Sequence, residues 1–169
     1  MLSEAPREIF LNPGEYAFGD ARTRVRTILG SCVAVTFWHP GLRIGAMCHY
    51  LLPARAPSLT EPPGGKYAEE VIAIIAGQFA DQGLPPAAFQ VKMFGGSNMF
   101  PGLTLSESLN IGTKNIHMGL AALTRSGFSI LNYDLAGGAN RTVLFDIWNG
   151  EVWVRQGQPA PAQDRERRK

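Results

Sequence analysis

The sequence predicts a single α+β domain with largely antiparallel or mixed sheets. Three observations carry this expectation. The chain has 169 residues, enough for one domain and short for two. Many short β-competent runs stand beside only two helical patterns. The runs cluster as hairpins toward both ends instead of alternating one by one with helices, as a doubly wound fold would require.

The elements follow in chain order. Val25 to Leu29 is short and β-competent. Cys32 to Trp38 and Arg43 to Leu52 are longer runs separated by His39-Pro40-Gly41-Leu42, with Pro and Gly adjacent as central turn residues. Residues 53–66 form an irregular Pro/Gly loop. A helix is predicted from Tyr67 to Asp81, because Tyr67, Val71, Ile74, Ile75 and Phe79 share one face and Gly83 stands ready to end it. Phe89 to Phe94 reads as a buried strand entering Gly95-Gly96. A second helix is predicted from Ile111 to Arg125, with Asn110 as N-cap and Gly127 as terminator. Ser129 to Tyr133, Thr142 to Trp148 and Glu151 to Arg155 close the domain as strands. Asn149-Gly150 joins the last two and is a strong hairpin signal.

Composition bounds the function. Hydrophobic residues make up 45% and charged residues 18%, the balance of an ordinary soluble globular protein. No run approaches the ~18 apolar residues of a membrane span. The N-terminus carries acids and prolines where an export signal needs an apolar run. Two cysteines make no disulfide scaffold, so reduced thiols in a cytoplasm are expected. Residues 155–169 hold five basic and two acidic side chains, a net of +3 against +2 for the whole chain, which leaves the body at −1. The basicity therefore belongs to the tail, and a nucleic-acid partner is not expected. We expect a domain over residues 1–155 and a disordered Pro/Gln/Arg-rich tail over 156–169.

Strand register supplies a chemical pair. In a hairpin centred between Pro40 and Gly41, Cys32 directly opposes His49, with Cβ atoms about 5 Å apart. Alternation groups Val33, Val35 and Phe37 with Ile44, Ala46, Cys48 and Tyr50 as the core face. Cys32, Ala34 and Thr36 share the other face with Gly45, Met47 and His49. Cys48 is then a packing residue and Cys32 sits beside an imidazole. Two readings fit that pair: buried bystanders, or a nucleophilic thiol with a base beside it. In the second, Gly30-Ser31 permits a tight turn that exposes the sulfur and aims backbone N–H groups at an oxyanion. Thr27 orients the imidazole through its hydroxyl. A zinc site is not expected, because alternation sends Cys48 and His49 to opposite faces and leaves only His39 and His117 to complete a ligand set. Gly95-Gly96-Ser97 lacks the Lys-Ser/Thr of a phosphate loop, so it reads as close backbone packing or as part of a substrate groove.

Several strings, taken together, resemble the chemoreceptor glutamine deamidase family, CheD. Thr27-Ile-Leu-Gly-Ser-Cys-Val-Ala-Val35 and Gly45-Ala-Met-Cys-His-Tyr-Leu-Leu-Pro53 carry the likeness most strongly. Pro13-Gly14-Glu15-Tyr16-Ala17, Lys66-Tyr67-Ala68, Gly95-Gly96-Ser97-Asn98-Met99-Phe100, Asn110-Ile111-Gly112-Thr113-Lys114-Asn115 and the segment Asp134 to Arg141 extend it over residues 10–155. The resemblance implies a single-domain α/β/β sandwich with two main helices. It implies a protein-glutamine glutaminase with Cys32 as nucleophile, His49 as base and Thr27 as third element. Gly30, Ser31, Gly95, Gly96 and Ser97 are then the expected oxyanion or substrate-binding residues, with no metal and no cofactor. Its implied partners are cytoplasmic portions of methyl-accepting chemotaxis receptors and a CheC-type phosphatase, with no nucleic acid and no membrane insertion. The alternative is a non-catalytic adaptor that binds receptors or the phosphatase. Intact Cys32 and His49 argue against it. Ser97-Asn98 and the long segment from Phe100 to Ser108 depart from the family pattern and bear on substrate choice.

Overall fold

Nine strands form two sheets, five of them before the first helix, one between the two helices and three after the second, in a computed structural model that describes residues 4–100 and 110–159. The strands are β1 (Arg7–Phe10), β2 (Tyr16–Gly19), β3 (Thr23–Leu29), β4 (Val33–His39), β5 (Ile44–Tyr50), β6 (Gln90–Gly95), β7 (Ile130–Leu135), β8 (Ala139–Asp146) and β9 (Glu151–Pro159). The helices are α1 (Ala68–Asp81) and α2 (Ile111–Arg125), with a 3-10 turn at Pro86–Ala88. One sheet has the order β1-β3-β8-β9 and the other β2-β5-β4-β6-β7. Each is mixed: β1 runs parallel to β3 and β6 parallel to β7, and the remaining pairs are antiparallel. The expected α/β/β sandwich is what forms.

Two cores define the layers. Val33, Val35, Phe37, Cys48, Tyr50 and Met93 of the five-stranded sheet pack against Val71, Ile72, Ile75 and Phe79 of α1 and Leu123 of α2. On its other face, Ala34, Met47 and Phe94 meet Val25, Leu29, Val143 and Phe145 of the four-stranded sheet. β4 is therefore dry on both sides, with Val33 to Phe37 all buried. Alternation led us to expect one core face on this hairpin. Its near-continuous apolar run is instead the pattern of a strand covered on both faces.

The first hairpin also differs in register. β4 and β5 pair as His39↔Ile44 through Ala34↔His49, so the loop is the four residues 40–43. Arg43 closes it at φ +50°, donating its N–H to the His39 carbonyl at 2.8 Å. Cys32 therefore does not directly oppose His49. It lies two residues before Ala34, which does. A two-residue slip keeps every side chain on its side of the sheet, so Cys32 and His49 still share a face, as diagonal neighbours on the order of 7 Å apart at Cβ. The second hairpin repeats the device. Asp146 pairs with Glu151, residues 147–150 form the loop, and Gly150 closes it at φ +76° with its N–H on the Asp146 carbonyl at 2.8 Å. Asn149-Gly150 stands at the end of a four-residue loop instead of forming a two-residue turn.

The helices form where periodicity puts them. The Asn110 side chain accepts the Thr113 N–H at 3.3 Å and caps α2, while Tyr67 precedes α1 without a side-chain cap. β1 and β2 were not anticipated; each is a four-residue edge strand. β9 runs to Pro159, four residues past the expected boundary at Arg155. The remainder of the expected tail, and the departure over 101–108, lie outside the described residues. Among those described, no helix is long and apolar enough to cross a membrane.

Candidate active site

The layering brings Thr27 and His49 face to face. Thr23, Val25, Thr27 and Leu29 point from β3 toward the five-stranded sheet, and Met47 and His49 point from β5 back at them. Both polar residues are buried, His49 with 1% exposure. Thr27 Oγ1 stands 2.7 Å from His49 Nδ1 and 2.8 Å from the Leu11 carbonyl. The chemistry of this relay fixes a tautomer. A carbonyl offers no hydrogen, so the single hydroxyl hydrogen of Thr27 goes to Leu11. The hydrogen between Thr27 and His49 must then come from Nδ1. Nε2 is left with a free lone pair, and it has no hydrogen-bond partner among the described residues.

The N-terminal segment grips the same histidine by its main chain. His49 N–H donates to the Glu15 carbonyl at 3.0 Å, and its own carbonyl accepts from Gly14 at 2.7 Å. Pro13-Gly14-Glu15 and Leu11 thus hold His49 from backbone and side chain together. Burial pushes its pKa down from 6.5 to about 4, opposed by the nearby Glu15 charge. The imidazole is therefore neutral at physiological pH, the state a base requires.

Cys32 sits half-buried in the bend between β3 and β4. Burial raises its thiol pKa, and its own backbone N–H, which lies near the sulfur, opposes the rise. That N–H and the one on Ser31 bond to no acceptor among the described residues. Both donors are thereby left uncommitted in the bend that carries Cys32. Cys48 is the contrasting case: on the helix-facing side, fully enclosed, its thiol is pushed up to about 12 and is chemically inert.

The glycine loop underpins this bend. Gly96 N–H donates to the Cys32 carbonyl at 2.9 Å and Ser97 N–H to the Gly30 carbonyl at 3.0 Å, so neither amide is free for substrate. Ser97 is buried, donating to the Ala139 carbonyl at 2.6 Å and accepting from Arg141 at 2.7 Å. Arg141, itself buried, also reaches the Ala136 carbonyl at 2.7 Å and Asp134 at 3.2 Å. Gly95 is at φ +108°, and an added Cβ there would stand 2.3 Å from the Cys32 carbonyl oxygen. Gly30 has no such constraint. Its φ is not positive, and the nearest atoms to an added Cβ would be those of the Met99 side chain, at 3.4 Å. The tight turn therefore does not need Gly30; its bareness makes room for the Met99 side chain beside the bend. Phe100 next to it is 64% exposed.

One site residue escaped sequence reasoning. Asn115, fully buried on α2, donates one amide hydrogen to the Ser31 carbonyl at 3.1 Å and the other to Leu51 at 2.8 Å. The available signal was a polar residue in the buried stripe Gly112, Asn115, Gly119, Ala122 and Leu123.

Comparison with known proteins places the whole chain in one family. Residues 51–156 match the family described as CheD chemotactic sensory transduction. A Chromobacterium violaceum protein is 40% identical over 92% of this chain and 81% of its own length. A Pseudomonas syringae pv. syringae protein is 42% identical over 94% of this chain and 89% of its own. One from Dechloromonas aromatica is 38% identical over 97% and 98%. Each carries the name "Probable chemoreceptor glutamine deamidase CheD", numbered 1 in the first and 3 in the third.

Proposed function

The chain belongs to the CheD family of chemoreceptor glutamine deamidases, and on that premise we propose that Cys32, His49 and Thr27 carry the hydrolysis of a receptor glutamine to glutamate. The observation that carries this assignment is the Leu11–Thr27–His49 relay, which leaves a buried, neutral Nε2 lone pair on the face shared with Cys32.

The chemistry follows from those positions. Nε2 takes the thiol proton as the Cys32 sulfur attacks the side-chain amide carbon. The Ser31 and Cys32 amides hold the developing oxyanion. Nε2–H then protonates the nitrogen, the C–N bond breaks, and ammonia leaves a thioester. Nε2 next deprotonates a water that attacks the thioester carbon. The C–S bond breaks, and the thiolate recovers its proton as glutamate departs. Nδ1 stays bonded to Thr27 throughout, so the ring keeps its orientation as Nε2 gains and loses the proton. No step calls for a metal or organic cofactor. Gly95, Gly96 and Ser97 act beneath the nucleophile as its support. We place the reaction in the cytoplasm, on cytoplasmic portions of receptors, and the family resemblance adds a CheC-type phosphatase as a second partner.

Mass spectrometry of a purified receptor cytoplasmic domain incubated with the protein tests the activity. Amide-to-acid shifts at defined glutamines are the expected result; binding without any shift overturns it in favour of an adaptor. Thr27→Val probes the relay. It removes the partner of Nδ1 while keeping the side-chain shape, and kcat should fall on the order of 10- to 100-fold with the protein folded. An unchanged kcat would remove Thr27 from the mechanism.

A further inference from the structure

We propose that Asn115 is a positioning residue that braces the nucleophile against the base, an inference that rests on the assignment of Cys32 and His49. Its two amide hydrogens go to two different strand ends. One reaches Ser31, adjacent to Cys32; the other reaches Leu51, two residues beyond His49. The bend that carries the thiol and the strand that carries the imidazole are thereby tied to a single planar group. Cys32 and His49 are diagonal and not directly opposed, so no pair of ladder hydrogen bonds joins their residues. The side-chain amide supplies a link at the place where the ladder has ended.

The orientation of that amide is chemically forced. Turning it over would set its oxygen against two carbonyl oxygens, so Nδ2 must face them. The reach comes from the helix. Gly112 lies so close to the glycine loop that an added Cβ would stand 2.5 Å from the Gly96 carbonyl oxygen. At Gly119 an added Cβ would stand 2.2 Å from the Tyr50 hydroxyl. Between these two close contacts Asn115 is carried onto the sheet ends. The Tyr50 hydroxyl donates to its backbone carbonyl at 2.7 Å and fixes the helix there. Only a side chain with two hydrogens on one terminal atom fits both carbonyls at this depth. Aspartate has the shape and none of the donors.

The test compares Asn115→Asp and Asn115→Ala with Asn110→Ala, which loses the N-cap of the same helix and leaves the brace intact. Three quantities are read: melting temperature, kcat and KM on a receptor cytoplasmic domain, and the pH profile of Cys32 alkylation by iodoacetamide, assigned by peptide mass. Both Asn115 variants should lose on the order of 10- to 100-fold in kcat with KM held within about twofold. Their alkylation profile should fall to that of His49→Ala, slower at each pH, because Nε2 is no longer placed to take the thiol proton. Asn110→Ala should melt earlier with kcat and profile unchanged. Asn115→Ala leaves the two carbonyls without setting a carboxylate against them, so it reports even where Asn115→Asp does not fold. A lowered melting temperature with wild-type kcat and alkylation profile in Asn115→Ala would overturn the brace. Retained deamidation in Cys32→Ala would instead overturn the nucleophile, and the alkylation profiles would still decide whether Asn115 couples the two groups.

Discussion

His49→Ala should reduce kcat at least about 1000-fold on a receptor cytoplasmic domain, and Cys32→Ala should leave no deamidation that mass spectrometry detects. A positioned general base is worth typically 10²- to 10⁴-fold, and here one nitrogen serves both as base toward the thiol and as acid toward ammonia. Nothing else among the described residues offers a substitute at that position. The pH dependence adds an independent sign. His49 titrates at about 4 instead of 6.5, so the active neutral form persists well below pH 6.5. The acid limb of kcat/KM should accordingly lie nearer pH 4 than pH 6.5. A limb at 6.5 would show that the imidazole is not held neutral by burial.

The same shift makes a stability prediction. Below pH 6.5 the unfolded chain protonates this histidine while the folded chain does not until about pH 4. The unfolded state therefore binds more protons in that window, and stability falls as pH falls through it. The loss attributable to His49 approaches about 3 kcal/mol at the bottom of the window, at 1.36 kcal/mol per pKa unit. Denaturant unfolding of wild type and His49→Ala across pH 4 to 7 isolates it, since the other acids titrate alike in both. The difference in stability between the two should change by that amount. A constant difference would mean that His49 has an ordinary pKa in the fold.

How much of this could be read from the chain follows a physical line. The helices were legible because Val71, Ile75 and Phe79 repeat at helical spacing, and helix formation is local. The shared face of Cys32 and His49 was legible because parity along the strands alone decides it. The register was not. It turns on Arg43 taking a left-handed conformation at φ +50°, and an arginine bears no compositional mark of that conformation. β1 and β2 were missed because four-residue edge strands owe their pairing to neighbours distant in sequence. Asn115 is the clearest case. Its partners lie 84 and 64 residues away, and in isolation it reads as an indifferent helix former. The glycine loop falls between these extremes. Its sequence announced close backbone packing, but only the fold reveals that the amides of Gly96 and Ser97 are consumed by the carbonyls of Cys32 and Gly30.

Gly95→Ala should be the most destabilising small substitution in the site. Two costs coincide there. The backbone sits at φ +108°, a region outside the ordinary left-handed well that L-residues avoid at a cost of roughly 1–3 kcal/mol. The new Cβ would also stand 2.3 Å from the Cys32 carbonyl oxygen, which is main chain and cannot rotate away as a side-chain end would. Relieving that clash moves the Cys32 peptide itself, and with it the Gly96 N–H bond to the same carbonyl at 2.9 Å. Together these should cost about 3 kcal/mol or more, which for a chain of this size lowers the melting temperature by about 10 °C. Activity should fall further than stability does, because the displaced peptide carries the nucleophile. Gly30→Ala supplies the contrast two residues before Cys32. Its φ is not positive and the atoms nearest its Cβ belong to the flexible Met99 side chain, at an ordinary contact distance of 3.4 Å, so its melting temperature should stay within a few degrees of wild type. If both substitutions were tolerated equally, the bend would owe its shape to something other than the closeness of Gly95 to Cys32. If Gly30→Ala proved the more damaging, the freedom of the turn would reside at Gly30 after all.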